Sequence, residues 1–135
     1  MKELTVRAVL ENIPSVTAFI EEQLETLACP MKAQLEIDMA IDEVFCNIAS
    51  YAYGSETGDA TVRFEFDGDS RVVSITFIDS GVPFNPLEKA DPDVTLSAEE
   101  REIGGLGIFM VKKTMDQMDY TYQNGYNMLT IRKHI

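Results

Sequence analysis

The chain has 135 residues, of which 45% are apolar, so it is long enough for one domain with its own core, and its composition argues against a disordered chain. Its formal net charge of −12 argues against nucleic acid as a direct partner, because phosphate binding needs a basic face, and favours a macromolecular partner that is basic or docks on an apolar patch. Two separated cysteines, Cys29 and Cys46, and a single histidine, His134, indicate neither a zinc site, nor a disulfide framework, nor histidine-based catalysis.

The beginning of the chain has the pattern of a strand. In residues 3–10, ELTVRAVL, apolar side chains alternate with polar ones, which predicts a strand with one buried face and not a signal peptide. No apolar run approaches the ~18 residues that a membrane span requires. We therefore expect a cytoplasmic protein without membrane contact.

Two helices are predicted next. Residues 12–28 have Pro14 near a first helical turn and carry an apolar stripe at helical spacing. Residues 29–54 form a longer helix after Pro30, again with apolar residues at helical spacing. Gly54 fits the position just beyond the end of this second helix.

The clearest local signal is a β-hairpin over residues 60–81. Two runs of alternating apolar residues, 62–66 and 73–77, flank a turn at 67–69 with the sequence Asp-Gly-Asp. Residues 80–103 then show no firm period. A stretch of that length without a clear element indicates a functional loop or lid.

The last third of the chain predicts a helix and a second hairpin. The helix covers residues 106–118, and the strands 119–123 and 127–133 flank an Asn-Gly turn. The order of elements predicts an α+β fold, a two-layer α/β sandwich with helices on one face of a mixed, mostly antiparallel sheet. We expect a single domain over residues 1–135.

The stretch IDEVFCNIA in the second helix carries a candidate pair. Glu43 and Asn47 are four residues apart, which puts both on one helix face at the edge of the buried stripe. An asparagine oxygen suits Mg²⁺, and a glutamate can accept a proton from water or a hydroxyl group. The same pair would also fit a solvated helix flank.

The stretch TFIDSGVPFNP places a carboxylate at the end of a strand. Asp79 could accept a hydrogen bond from an amine such as that of adenine, and Gly81 would let a flat ring approach the backbone closely. An Asx turn, in which Asp79 bonds to its own backbone, is the alternative.

The stretch REIGGLGIFMVKK places Gly104, Gly105 and Gly107 at the start of a helix. Glycines weaken a helix start, so the position calls for a specific gain. One possibility is a tight turn before a packed helix. The other is a backbone that comes close to a phosphate, whose charge is met by free N–H groups at the helix N-terminus.

In this order the three stretches resemble the sequence boxes of the GHKL ATPases. DEVFCN resembles their N box, DSGVPF their G1 box and GGLGIF their G2 box. DSGVPFNPL and EIGGLGIFMVKKTMDQMDY are most similar to the stand-alone bacterial anti-sigma-factor serine/threonine kinases. The resemblance spans nearly the whole chain and implies a Bergerat-type ATP-binding fold.

The resemblance also implies roles for individual residues. Asn47 matches the Mg²⁺ ligand of the family and Glu43 its proposed general base. Asp79 matches the carboxylate that reads adenine, and Gly81 is the glycine beside it. ATP and Mg²⁺ are the implied cofactors.

The implied phosphate-binding segment consists of Gly104, Gly105, Leu106 and Gly107, and residues 80–103 would include the ATP lid. Two departures from the family pattern occur near the end of the chain. Where some members have an arginine close before the glycines, this chain has Ile103, with Arg101 two residues earlier. The usual late Gly-Thr pair is absent, and Thr130 is the candidate substitute for its threonine.

By resemblance, the protein would phosphorylate a serine or threonine of an anti-anti-sigma (STAS-type) protein, sequester a sigma factor and form a homodimer. One alternative is a nucleotide-binding regulatory or sequestering module without phosphotransfer, which Ile103 favours. Another is a plain ATPase in which Glu43 activates water.

Overall fold

The computed structural model describes residues 1–88 and 105–135, in which three helices pack on a five-stranded sheet. The elements in chain order are β1 (Lys2–Arg7), α1 (Ile13–Thr26), α2 (Met31–Tyr51), β2 (Asp59–Asp67), β3 (Val72–Asp79), α3 (Gly105–Thr114), β4 (Gln117–Gln123) and β5 (Tyr126–His134). Single 3₁₀ turns occur at Leu10–Asn12 and Pro86–Glu88. The predicted α+β sandwich is confirmed.

The sheet has the strand order β1-β2-β3-β5-β4, and each of its four neighbouring pairs is antiparallel. It is therefore antiparallel throughout, where the order of elements predicted a mixed sheet. The reason is topological. The helix pair between β1 and β2 returns the chain so that β2 runs opposite to β1, and β5 lies between β3 and β4, which share one direction.

The core lies between the inner face of the sheet and the helices α1 and α2. Its fully buried side chains repeat at helical spacing on the helices and at alternate positions on the strands, as Val16, Ile20, Leu24, Ile37, Ile41, Val44, Val62, Val73, Ile75, Phe77 and Ile131. Burial of one such side chain stabilises the fold by about 2 kcal/mol. The core holds β3 in the middle of the sheet, with its last residue at the edge of the helix layer.

The helix α3 is shorter than predicted. It ends at Thr114, whereas apolar spacing had extended it to residue 118. The backbone N–H of Asp116 donates to the carbonyl of Arg132 at 2.9 Å, and this bond leads into the pairing of β4 with β5. Met118 therefore lies on a strand, because residues 117–123 all pair with the edge of β5 that β3 does not cover.

The second helix ends earlier than predicted: α2 ends at Tyr51 with Ala52 as its C-cap, so Gly54, whose φ is 60°, lies two residues beyond the cap. The predicted Asn124-Gly125 turn between β4 and β5 is confirmed, with φ values of 55° and 83°. Positive φ at both residues is the geometry of a two-residue hairpin turn. In the described part of the chain, no helix is long and apolar enough to cross a membrane.

Candidate functional site

Asp79 is the last residue of β3 and is buried, with 6% of its surface exposed. Its Oδ1 atom accepts hydrogen bonds from the backbone N–H of Gly81 and from Nδ2 of Asn127, both at 2.9 Å. The first of these bonds is the Asx turn that the sequence left open. It uses only one carboxylate oxygen, and within the described residues Oδ2 accepts no hydrogen bond.

Asn127 is the site residue that the sequence did not reveal. It is the first buried residue of β5 and pairs in register with Asp79. Its Nδ2 also donates to the carbonyl of Val82 at 2.9 Å, and its Oδ1 accepts the backbone N–H of Phe84 at 3.1 Å and the hydroxyl of Tyr120. The available signal was the alternation of β5, which puts a polar residue in line with the buried Leu129 and Ile131.

Thr130 lies on the opposite face of the sheet. Its hydroxyl bonds to that of Thr76 on β3 at 2.9 Å, and neither residue lines the cavity beside Asp79. Thr130 therefore does not replace the missing Gly-Thr pair at this site, because successive strand residues face opposite sides of a sheet.

A small cavity adjoins Asp79. Its lining is mainly apolar, with polar groups from three residues besides Tyr120, and consists of Val44, Asn47, Ile48, Ala52, Phe77, Asp79, Val82, Phe84, Pro86, Tyr120, Asn127 and Leu129. Its volume is about 30 Å³, whereas a cavity of roughly 150 Å³ is needed to take a benzene ring. A flat ring therefore needs more room than this cavity has.

The turn after Asp79 is packed against the end of α2. A Cβ atom on Gly81 would overlap the backbone carbonyl of Ala52, and the same carbonyl accepts the N–H of Val82 at 2.8 Å. The hydroxyl of Tyr53 accepts the N–H of Ser80 at 3.0 Å. The close approach at Gly81 is thus made by α2, and it holds the turn beside the cavity.

Glu43 and Asn47 lie one turn apart on α2 but open onto different spaces. Asn47 is half-buried and lines the same cavity as Asp79. Glu43 is also half-buried and lines a groove on the other side of the helix edge. Burial raises the pKa of the Glu43 carboxyl above its ordinary value, which suits a proton acceptor.

The start of α3 comes directly against Glu43. Gly105 is the first residue of this helix, Leu106 follows it, and Gly107 lies in the first turn. A Cβ atom on Gly107 would overlap the carboxyl group of Glu43. The backbone N–H groups of a first helical turn have no partners within the helix, so they are available to an anion.

Several predicted features lie outside the described residues. These are Gly104, Arg101, Ile103 and the part of the predicted lid from residue 89 onward. Of residues 80–88, Ser80 and Gly81 belong to the turn described above.

The groove beside Glu43 runs between α2 and α3 and has a volume of about 610 Å³. It is mainly apolar and is lined by Ile13, Met39, Ala40, Asp42, Glu43, Cys46, Gly107, Met110, Val111 and Thr114. Met39 and Met110 are exposed. The charged residues in this lining are both acidic, so the groove could accept an apolar or basic segment of another protein.

Comparison with known proteins finds the same fold and similar sequences. Residues 6–133 match the family model described as histidine kinase-like ATPase domain. The serine/threonine-protein kinase BtrW of Bordetella bronchiseptica is 24% identical over 76% of this chain and 72% of its own length. The serine-protein kinase RsbW of Listeria monocytogenes is 28% identical over 91% of this chain and 74% of its own length.

A solved structure is also similar. The histidine kinase domain of a blue-light-activated histidine kinase from Erythrobacter litoralis matches 78% of this chain with a TM-score of 0.58. The match covers 46% of that chain, and the sequences are 16% identical. The likeness therefore concerns the fold.

Proposed function

Because the chain belongs to the family of histidine kinase-like ATPase domains, we propose that it binds ATP and transfers the γ-phosphoryl group to a serine or threonine of a partner protein. The observation that carries this proposal is the placement of Asp79 and Asn47 on one cavity and of Glu43 against the start of α3. The adenine site at Asp79, the metal ligand Asn47 and the phosphate-binding amides of α3 would then follow one another along one side of the helix layer.

The cavity supports adenine as the base. Oδ2 of Asp79 is the acceptor that would receive a hydrogen bond from the exocyclic amine, and the apolar lining suits the faces of a flat ring. The cavity is too small for a ring as it stands, so binding requires the cavity to widen.

The residues present fit Mg²⁺ that arrives with a nucleotide. Among residues 1–88 and 105–135, no cluster of three His, Cys, Asp or Glu side chains could hold a metal alone. Mg²⁺ is commonly held by one or two protein oxygens together with phosphates and water, and Asn47 offers one such neutral oxygen. When bound, Mg²⁺ would neutralise charge on the phosphate oxygens.

Glu43 would act as the general base. Its carboxylate accepts the proton of the attacking hydroxyl group while that oxygen forms a bond to the γ-phosphorus. The bond between the γ-phosphorus and the oxygen bridging to the β-phosphate breaks, and ADP leaves. The groove beside Glu43 gives a protein segment a path to this carboxylate.

The proposed acceptor is an anti-anti-sigma protein, and the proposed sequestered partner is a sigma factor, which implies a cytoplasmic location. The support for this choice is the resemblance of the G1 and G2 segments, together with relatives named serine/threonine-protein kinase and serine-protein kinase. The net charge of −12 favours a partner with a basic surface. The homodimer stays a prediction.

The second candidate is a nucleotide-binding regulatory module without phosphotransfer. Ile103, where some family members have an arginine, favours it, because an arginine stabilises charge on the transferred phosphoryl group. In that case nucleotide binding would persist, but no acceptor would be labelled.

Calorimetric titration with ADP, with and without Mg²⁺, tests the nucleotide site. We expect Asp79→Asn to weaken ADP binding at least about 10-fold, because the charged carboxylate acceptor is replaced by a neutral amide. Asn47→Ala should remove the dependence on Mg²⁺. The control Asp69→Asn changes an exposed carboxylate in the β2–β3 turn and should bind as the native chain does.

Transfer from radiolabelled ATP to a co-encoded anti-anti-sigma protein tests the kinase activity. Glu43→Gln should lower transfer by about 10²- to 10⁴-fold without loss of nucleotide binding. Glu22→Gln, on the exposed side of α1, is the control. An unlabelled acceptor in the presence of bound ATP would contradict the kinase proposal and support the regulatory module.

A further inference from the structure

We propose that Asn127 sets the nucleotide preference of the site by holding Asp79 as a fixed hydrogen-bond acceptor. This inference rests on the proposed nucleotide binding. Asn127 acts through Asp79, so it is a positioning residue.

The orientation of the Asn127 side-chain amide is determined by its partners. The backbone carbonyl of Val82 can only accept a hydrogen bond, so the atom facing it at 2.9 Å must be Nδ2. The backbone N–H of Phe84 can only donate, so the atom facing it at 3.1 Å must be Oδ1. A reversed amide would lose both bonds, and the hydroxyl of Tyr120 further occupies Oδ1.

This orientation determines what Asp79 can do. Oδ1 of Asp79 faces two N–H donors, from Gly81 and Asn127, each at 2.9 Å. These two bonds hold the carboxylate in one orientation. Oδ2 is therefore offered to the cavity as an acceptor.

An acceptor at this position discriminates between purines. In the same ring orientation, adenine presents an amine donor, whereas guanine presents a carbonyl oxygen that the carboxylate repels. The discrimination depends on the Asp79 carboxylate staying in this orientation. Asn127 supplies that condition, because its amide donates to the carboxylate and bonds to the turn at Val82 and Phe84.

The experiment compares Kd values for ADP and GDP, with Mg²⁺ at about pH 8, by calorimetry. Asn127→Asp keeps the side-chain shape and replaces the amide donor by a carboxyl group beside Asp79. We expect ADP binding to weaken about 10- to 100-fold while GDP binding changes by less than about 3-fold, so the ADP preference falls. A preference that stays at the native value in this variant would overturn the inference.

The matched control is Thr130→Val on the same strand. It removes one hydroxyl group of a hydrogen-bonded pair on the outer face of the sheet, and Thr130 does not line the cavity. It should lower thermal stability modestly and leave the ADP to GDP ratio unchanged. A drop in its ratio equal to that of Asn127→Asp would also overturn the inference, because loss of strand stability would then explain both.

Tyr120→Phe is a second variant, should Asn127→Asp fail to fold. It removes one of the two donors to Oδ1 of Asn127. The hydrogen bond from Nδ2 of Asn127 to Asp79 remains. We expect a smaller fall in the ADP preference, of about 3-fold, and an unchanged preference would count against the inference. If the native chain binds neither nucleotide, the proposed function itself fails. If it binds ADP and only the variants contradict the expectation, the proposed function stands without a role for Asn127.

Discussion

At the scale of single residues, Gly107 faces a flexible neighbour. A Cβ atom there would overlap the carboxyl group of Glu43, which is the far end of a side chain that can move. The overlap should therefore cost little stability, and alanine has a helix propensity better than that of glycine by up to about 1 kcal/mol. The absence of a side chain at Gly107 thus leaves room for the Glu43 carboxyl group and does not stabilise the helix.

We expect Gly107→Ala to keep or raise the midpoint of thermal unfolding while it displaces the Glu43 carboxylate. Phosphoryl transfer should fall about 100-fold, because a misplacement of about 1 Å can have that effect. Circular dichroism melts and the radiolabel assay measure the two quantities. Full transfer activity in this variant would mean that the close contact has no catalytic significance.

At the scale of elements, the turn after β3 is locked to the end of α2. A Cβ atom on Gly81 would overlap the backbone carbonyl of Ala52, which cannot move without displacing the helix. We expect Gly81→Ala to lower the free energy of unfolding by at least about 2 kcal/mol and to weaken ADP binding as well. Urea unfolding and calorimetry measure these effects.

Gly68→Ala is the control for that substitution. Gly68 lies in the β2–β3 turn, and an added Cβ atom would meet nothing within 4 Å. Its effect on stability should stay within about 0.5 kcal/mol. Equal effects at the two glycines would show that packing against Ala52 is not the cause.

The contact between α1 and α2 contains an unfavourable carboxylate. Burial, Glu21 on α1 and the charge of Asp42 on α2 raise the pKa of Asp38 to about 7, and its buried Oδ1 has no partner in the described part of the chain. A carboxyl group whose pKa is higher in the folded state stabilises the fold when protonated, and this contribution is lost as pH rises through about 7.

We therefore expect Asp38→Asn to raise stability above pH 7 by about 1 kcal/mol, a modest value because the side chain is partly exposed. The variant should also show a flatter stability profile between about pH 4 and pH 7. Urea unfolding at several pH values measures both. The control Glu22→Gln changes an exposed residue of α1 and should retain the native stability profile. A native profile in Asp38→Asn as well would mean that Asp38 ionises normally.

At the scale of the whole molecule, nucleotide binding should stabilise the fold as one unit. The cavity residues come from α2, β3, β4 and β5, so a ligand there bridges the helix layer and the sheet. At 100 times its Kd, ADP should add about 2.7 kcal/mol, which corresponds to a rise of roughly 10 °C in the melting midpoint. Asp79→Asn should lose most of this rise, and an equal rise in that variant would place the nucleotide elsewhere.

Local physics accounts for most of what could be predicted. Helical and strand periodicities located every helix and strand of the described chain, and the Asn124-Gly125 turn was recognised because few residues accept a positive φ. The end of α3 was predicted wrongly, since apolar spacing in residues 115–118 fits either a helix or a strand. Pairing with the edge of β5, whose residues follow later in the sequence, made residues 117–118 part of a strand and not of a helix.

The sequence by itself determined the elements, the fold class and the spacing of the motifs, because these depend on side chains a few residues apart. Only the tertiary structure decided that Asn127 meets Asp79 across 48 residues of chain, and that Thr130 faces away from both. It likewise decided that Ala52 fills the space at Gly81. Strand register and helix docking are set by the joint packing of the whole core, so no local pattern contains them.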